Sequence, residues 1–208
     1  VLGKYVVTGI DDNAFYNRWD LTSVTIPGSV TTIGFGSFHD CERLTGIWVD
    51  SDNPAYNHDC GVLFDKNKTI LIQASSAISG SYSIPGSVTS IDYGAFSECY
   101  SLTEVTIPAG VGFLRHASFP NCFQLKKVVF EGDQPNTNGD PFYMGPEDLT
   151  VYCYDDAKGW DDPLFYTYPV VKLQRAADLP TEAPPEKPEE PAAGGDQEKE
   201  KQEDIPSS

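Results

Sequence analysis

The sequence predicts a mainly β solenoid of about five coils, with an aromatic C-terminal cap and a disordered acidic tail. Three recurrences predict it. A phenylalanine and a cysteine return together as Phe38 and Cys41, Phe96 and Cys99, and Phe119 and Cys122, with Phe15 and Arg18 opening the series. Apolar pairs two residues apart keep a step of 23 except across one coil, at Val24 and Ile26, Ile47 and Val49, Tyr82 and Ile84, Val105 and Ile107, and Val128 and Phe130. A third apolar slot reads Ile10, Ile33, Ile91 and Leu114. Self-similarity at one fixed period marks stacked units, none of which can bury its apolar side alone.

The chain opens inside such a unit, because Val7, Thr8 and Ile10 occupy the slots of Val30, Thr31 and Ile33. A fragment or processed product is therefore expected, and the missing leader is no sign of cytoplasmic residence. Residues 21–43 show one whole unit. Leu21, Val24 and Ile26, with Ser23 and Thr25 between them, alternate as in a half-buried strand. Pro27 and Gly28 end it, since proline cannot donate to a ladder and glycine favours a bend. Val30 and Ile33 turn back to the core, and Ser37, Phe38 and Cys41 form a tight arc, read as one turn of helix.

One coil is longer. From Ile47 to Tyr82 the step is 35 residues, so 12 extra residues enter it. Residues 62–64 and 69–72, around the polar stretch 65–68, read as a β-hairpin. Leu71 or Ile72 is expected to replace the missing phenylalanine. The period breaks after Phe130; residues 132–145 read as a polar Gly/Pro-rich loop and 149–154 as a last strand. Trp160, Phe165, Tyr166 and Tyr168 then suit a cap over the open end. The solenoid is placed at residues 1–173, its cap at 149–173, and a Pro/Glu/Lys-rich disordered linker at 174–208.

Charge excludes some partners. The net charge of −17 divides into −11 over residues 1–173 and −6 over 174–208, so both parts repel phosphate. Nucleic acid is not an expected partner, nor is an anionic membrane surface. No apolar run approaches the roughly 20 residues of a membrane span. Of the five cysteines, Cys41, Cys99 and Cys122 share one slot and read as a buried, reduced ladder. Coils about 5 Å apart bring Cys99 within disulfide reach of Cys122, but parallel side chains suit that bond poorly. Cys60 and Cys153 fall outside the slot.

The string L-T-x-V-x-I-P-x-x-V-x-x-I-x-x-x-A/S-F-x-x-C, at residues 21–41 and 102–122, resembles the BspA-type leucine-rich repeats of bacterial surface proteins. The likeness runs from residue 1 to about 173. It includes the long coil (Asn53, Pro54, Gly61 to Phe64, Leu71, Ile72) and the ending (Leu149 to Tyr152, then Gly159 and Trp160). Departures are few: Asp50 and Glu131 replace the proline after the strand, and Arg18 replaces the first cysteine. The resemblance implies a leucine-rich-repeat solenoid, secreted or at the cell surface, that binds without catalysis. Its implied partners are an extracellular protein, such as host matrix or another surface protein, or a glycan. No catalytic residues and no cofactor are implied.

The residues themselves agree with a binding role. His39, His58 and His116 occupy different slots, so stacking is not expected to gather them, and nothing at metal-ligand spacing accompanies them. His58 and Cys60 lack an orienting third group. Asp50, Asp52 and Asn53 alternate as calcium ligands can, without the glycine and distal glutamate of the familiar loop, so a turn is expected. The outward strand face is the candidate ligand surface. One ladder reads Thr25, Trp48, Ser83, Thr106 and Val129; beside it run Ser23, Gly46, Ser81, Glu104 and Lys127. Trp48 either packs on the inserted hairpin or anchors a ligand, and Trp19 is expected to pack at an edge. A passive spacer within a larger surface protein or enzyme is the alternative role.

Overall fold

The computed structural model describes residues 6–175, the side chain of Leu164 excepted, so most of the stretch assigned to a tail lies outside the described residues. Period-two alternation sends one side of every strand inward, and stacking aligns those sides. Seven strands, numbered along the chain, form the first face: β2 (Ser23–Ile26), β4 (Gly46–Val49), β8 (Ser79–Ser83), β10 (Ser101–Ile107), β12 (Lys127–Phe130), β14 (Thr150–Tyr154) and β16 (Tyr168–Leu173). All pairings among them are parallel, with Val24 beside Ile47, and Tyr82, Val105, Val128, Val151 and Val170 in one row. The second face holds β1 (Gly9–Ile10), β3 (Thr32–Ile33), β9 (Ser90–Ile91), β11 (Phe113–Leu114) and β13 (Asn136–Thr137).

The solenoid thus has about seven turns where the sequence predicts five. Residues 132–145 are a further coil rather than a loop. Thr137 pairs with Leu114 in the isoleucine slot, and Phe142 packs tilted 5.5 Å from Phe119 in the phenylalanine slot. In the cap, β15 (Leu164–Phe165) runs antiparallel to β16, and Trp160 and Phe165 pack on Phe130.

The third side is the phenylalanine–cysteine arc, and it is not helical. Asn13, Gly36, Gly94 and Ala117 have left-handed φ, as do Asn17, Asp40, Glu98 and Asn121 four residues later. Two left-handed residues per arc forbid a right-handed turn of helix, and Asn, Asp and Gly are the residues that accept this conformation most readily. Each cysteine then closes its arc. Cys41 donates to the Phe15 carbonyl (3.0 Å) and Cys122 to that of Phe96 (3.2 Å), one coil back.

The long coil holds β5 (Tyr56–Asp59), β6 (Val62–Asp65) and β7 (Ile70–Ala74), an antiparallel meander of two hairpins rather than one. Cys60 and Gly61 both have positive φ, as a two-residue type I′ turn requires. Leu71 pairs with Ile91 and so fills the isoleucine slot. The phenylalanine slot falls to Ala74, whose N–H bonds the Ala95 carbonyl as the Phe96 N–H bonds that of Ser118. With no ring there, the phenylalanines form two columns rather than one. Phe15 and Phe38 stack at 5.5 Å in one core; Phe96 and Phe119 stack in another, with Phe142 tilted against Phe119. The meander is the wall between them. Val62, Phe64, Leu71 and Ala74 face the larger core while Leu63 and Ile72 face the smaller. That two-sided burial explains the unbroken apolar run at 62–64.

The same coil has a short arc. From its isoleucine-slot residue Leu71 to its strand residue Tyr82 there are 11 residues, against 14 from Ile33 to Ile47 or Ile91 to Val105. Three residues too few, the arc leaves the second and fourth coils touching above it. Phe35 stacks on Tyr93 at 4.7 Å, and the Asp40 N–H reaches Ser97 Oγ at 3.4 Å.

Candidate functional site

On the first face, the long coil interrupts the sheet: β4 ends a pair with β2, and β8 begins the six-stranded sheet that runs to β15. The expected ladder therefore falls into two parts. Thr25 lies beside Trp48; Ser83, Thr106 and Val129 form a separate row continued by Tyr152 and Val171. Glu104 and Lys127 are register neighbours joined at 2.8 Å, with the Lys127 ammonium 5.6 Å from the Tyr152 ring centroid. Both carry substantial exposure, so the pair adds little stability. Val129 is a correction: although its slot points outward, it is only 7 % exposed.

Trp48 stands at the break. Its ring lies flat over Gly46, where an added Cβ would come within 2.0 Å of the indole. It is 50 % exposed, in a shallow groove walled by Thr45, Cys60, Gly61, Ser75, Ala77 and Ile78. The hairpin tip thus flanks the tryptophan without covering it. Trp19 is 64 % exposed, so the expected edge packing is absent.

The groups considered for chemistry are otherwise engaged. His58 Nδ1 accepts the Val49 N–H at 3.1 Å. Cys60 is exposed, and a hydrogen bond to Asp59 pushes its thiol pKa up, the reverse of nucleophile activation. All five thiols are free; burial raises Cys41, Cys99, Cys122 and Cys153. Asp50 Oδ2 accepts the Gly28 N–H at 3.2 Å, and Asn53, fully buried, bonds the Pro27 and Val30 carbonyls and the Ala55 and Tyr56 amides. That segment is a structural turn. Among the described residues no group of three or more His, Cys, Asp or Glu side chains is arranged to hold a metal, and no helix is long and apolar enough to cross a membrane.

Two of the histidines flank one tyrosine, a neighbourhood their separate slots do not announce. The short arc brings His39 to Tyr93 (ring centroids 4.8 Å, Oη to Nε2 3.4 Å), and His116 stands 6.4 Å from the same ring. Tyr16 on His39 and Tyr143 beside His116 extend this aromatic edge across the coils. Reading coils in simple succession hid it, because the second coil meets the fourth. The signal available was the 11-residue arc.

A parallel solenoid with a strand face, a second short-strand face and a phenylalanine arc is a leucine-rich-repeat protein. The chain belongs to the BspA type leucine rich repeat region family, of which six copies match residues 7–60 and 74–148. Among solved structures it is similar to a leucine-rich repeat protein from Eubacterium ventriosum ATCC 27560. The two share 27 % identity over 80 % of this chain and 52 % of that one, at a TM-score of 0.60. It is also similar to a leucine rich cell surface protein from Faecalibacterium prausnitzii A2-165, with 24 % identity over 70 % and 45 % and a TM-score of 0.54. The pneumococcal vaccine antigen PcpA shares its fold at 15 % identity, over 81 % of this chain and 60 % of that one, with a TM-score of 0.50. The chain spans about half the length of the first two. No curated protein matches it.

Proposed function

We propose that this chain is a secreted or cell-surface recognition module that binds without catalysis, its strand face adhering to an extracellular protein. The observation that carries the proposal is Trp48. A half-exposed indole on a glycine floor, at a break between strands and beside Ser and Thr side chains, has the character of an interface hot spot. Thr25 extends this surface on one side. Ser83, Thr106 and the Glu104–Lys127 pair extend it beyond the groove. A solved structure of similar fold is named a leucine rich cell surface protein, which supports placing this chain outside the cell.

Gly46 supplies a test that spares the fold. Its φ is not left-handed, and the three atoms nearest an added Cβ all belong to the Trp48 ring. On an array of extracellular-matrix and bacterial surface proteins, Gly46→Ala and Trp48→Ala are expected to lose about 10-fold or more in affinity for the retained partner. Unchanged binding by both variants contradicts the proposal.

A further inference from the structure

The aromatic edge borders a cleft on the side of the molecule away from Trp48. Where the long coil's arc falls three residues short, β3 and β7 are left in separate sheets. A cavity of about 440 Å³ opens between them, within the size range of small-molecule sites. Its walls combine two kinds of surface. Phe35, 48 % exposed and stacked on Tyr93, supplies the aromatic wall, and Ile33 and Ile70 the aliphatic one. Asp92 and Arg115 also line it, the Arg115 Nε lying 2.8 Å from Asp92 Oδ1.

The charges in the cleft are spoken for. Asp92 and Arg115 neutralise one another. Asp65 accepts the Thr69 and Ile70 amides and the Thr69 hydroxyl, all at 2.6–2.7 Å. An anion finds no uncompensated positive charge there, and the Asp65 oxygens are taken up by its own turn. A carboxylate beside a guanidinium does offer an acceptor and a donor side by side, the complement of two adjacent hydroxyls, each of which both donates and accepts. A ring face offers its negative quadrupole to the weakly positive C–H groups of a sugar face.

We propose that this cleft is a binding site for a neutral saccharide, separate from the protein-binding strand face. Phe35, backed by Tyr93, supplies the stacking wall, and Asp92 with Arg115 holds vicinal hydroxyls. The test uses the full 208-residue chain with glucose, galactose, mannose, N-acetylglucosamine and their β-linked disaccharides, read by saturation-transfer NMR and calorimetry. At least one sugar is expected to bind at roughly millimolar affinity or better. Phe35→Ala and Arg115→Ala, both on partly exposed side chains, should each weaken it about 10-fold with circular dichroism unchanged, while Trp48→Ala leaves it intact. The proposal is overturned if no sugar in the panel binds, if both cleft variants bind as well as the parent, or if a short neutral peptide displaces the sugar and binds more tightly. Loss of sugar binding in Trp48→Ala alone overturns it too, by moving the site to the strand face.

Discussion

Replacing Asn53 by alanine probes the joint between the regular coils and the long one. The side chain is fully buried and makes four hydrogen bonds of 2.8–3.0 Å: two donated to Pro27 and Val30 carbonyls of the preceding coil, two accepted from the Ala55 and Tyr56 amides. The Pro27 carbonyl keeps the Val30 N–H as a partner, so three groups lose theirs. Each such bond contributes about 1 kcal/mol net, and an orphaned buried group costs about 1–3. Water reaches Ala55 and Tyr56 in part, which places the expected loss at about 3–5 kcal/mol. With a urea m-value of about 2 kcal/mol/M, the midpoint should fall by about 2 M. Because a solenoid's coils are stabilised mainly by neighbours, hydrogen exchange should quicken first in residues 6–60. A loss below about 1 kcal/mol, or exchange quickened only beyond residue 100, refutes the view that Asn53 ties the first coils to the meander.

Three further outcomes are expected. Gly94→Ala places a Cβ at a φ of +64° and 2.3 Å from His39 Nδ1, so stability should drop by about 2 kcal/mol or more; unchanged melting contradicts the contact between the second and fourth coils. Native thiol titration should show one accessible cysteine, Cys60, with the four buried thiols reacting only on unfolding; two or more fast thiols contradict it. Burial lowers the His39 pKa more than Asp40 and Glu98 raise it, and Tyr93, Tyr16 and Asp40 surround the ring. The unfolded chain therefore takes up the proton first as pH falls below about 6.5, so stability declines there, by at most about 1.4 kcal/mol per pH unit. Urea midpoints between pH 7.5 and 5 should fall for the parent and stay flatter for His39→Gln; equal slopes contradict it.

The regular coils were legible because each slot holds a recognisable apolar side chain. Phe38, Phe96 and Phe119 announce their coils, and Val24, Ile47 and Val105 their strands. Where a slot carries an atypical residue the period goes silent. Thr137 and Gly145 hide the coil of Phe142, and Ala74 hides the phenylalanine slot of the long coil. The candidate site was legible only at its anchor. Trp48 stands out in any reading of the strand ladder, but its separation from Ser83 depends on β4 and β8 failing to pair. The cleft escaped notice altogether, since it arises from three residues that are missing rather than from any motif that is present. His39, Tyr93 and His116 look unrelated until the short arc brings them together.

Both surfaces depend on the long coil opening the solenoid on two sides while its short arc lets the second coil close on the fourth. Nuclear Overhauser contacts between the rings of Phe35 and Tyr93 test this directly, since their centroids stand 4.7 Å apart. Strong cross-peaks between selectively labelled rings are the expected result. Their absence, with Phe35 instead in contact with residues 70–74, would mean the coils follow in simple succession and would contradict the account.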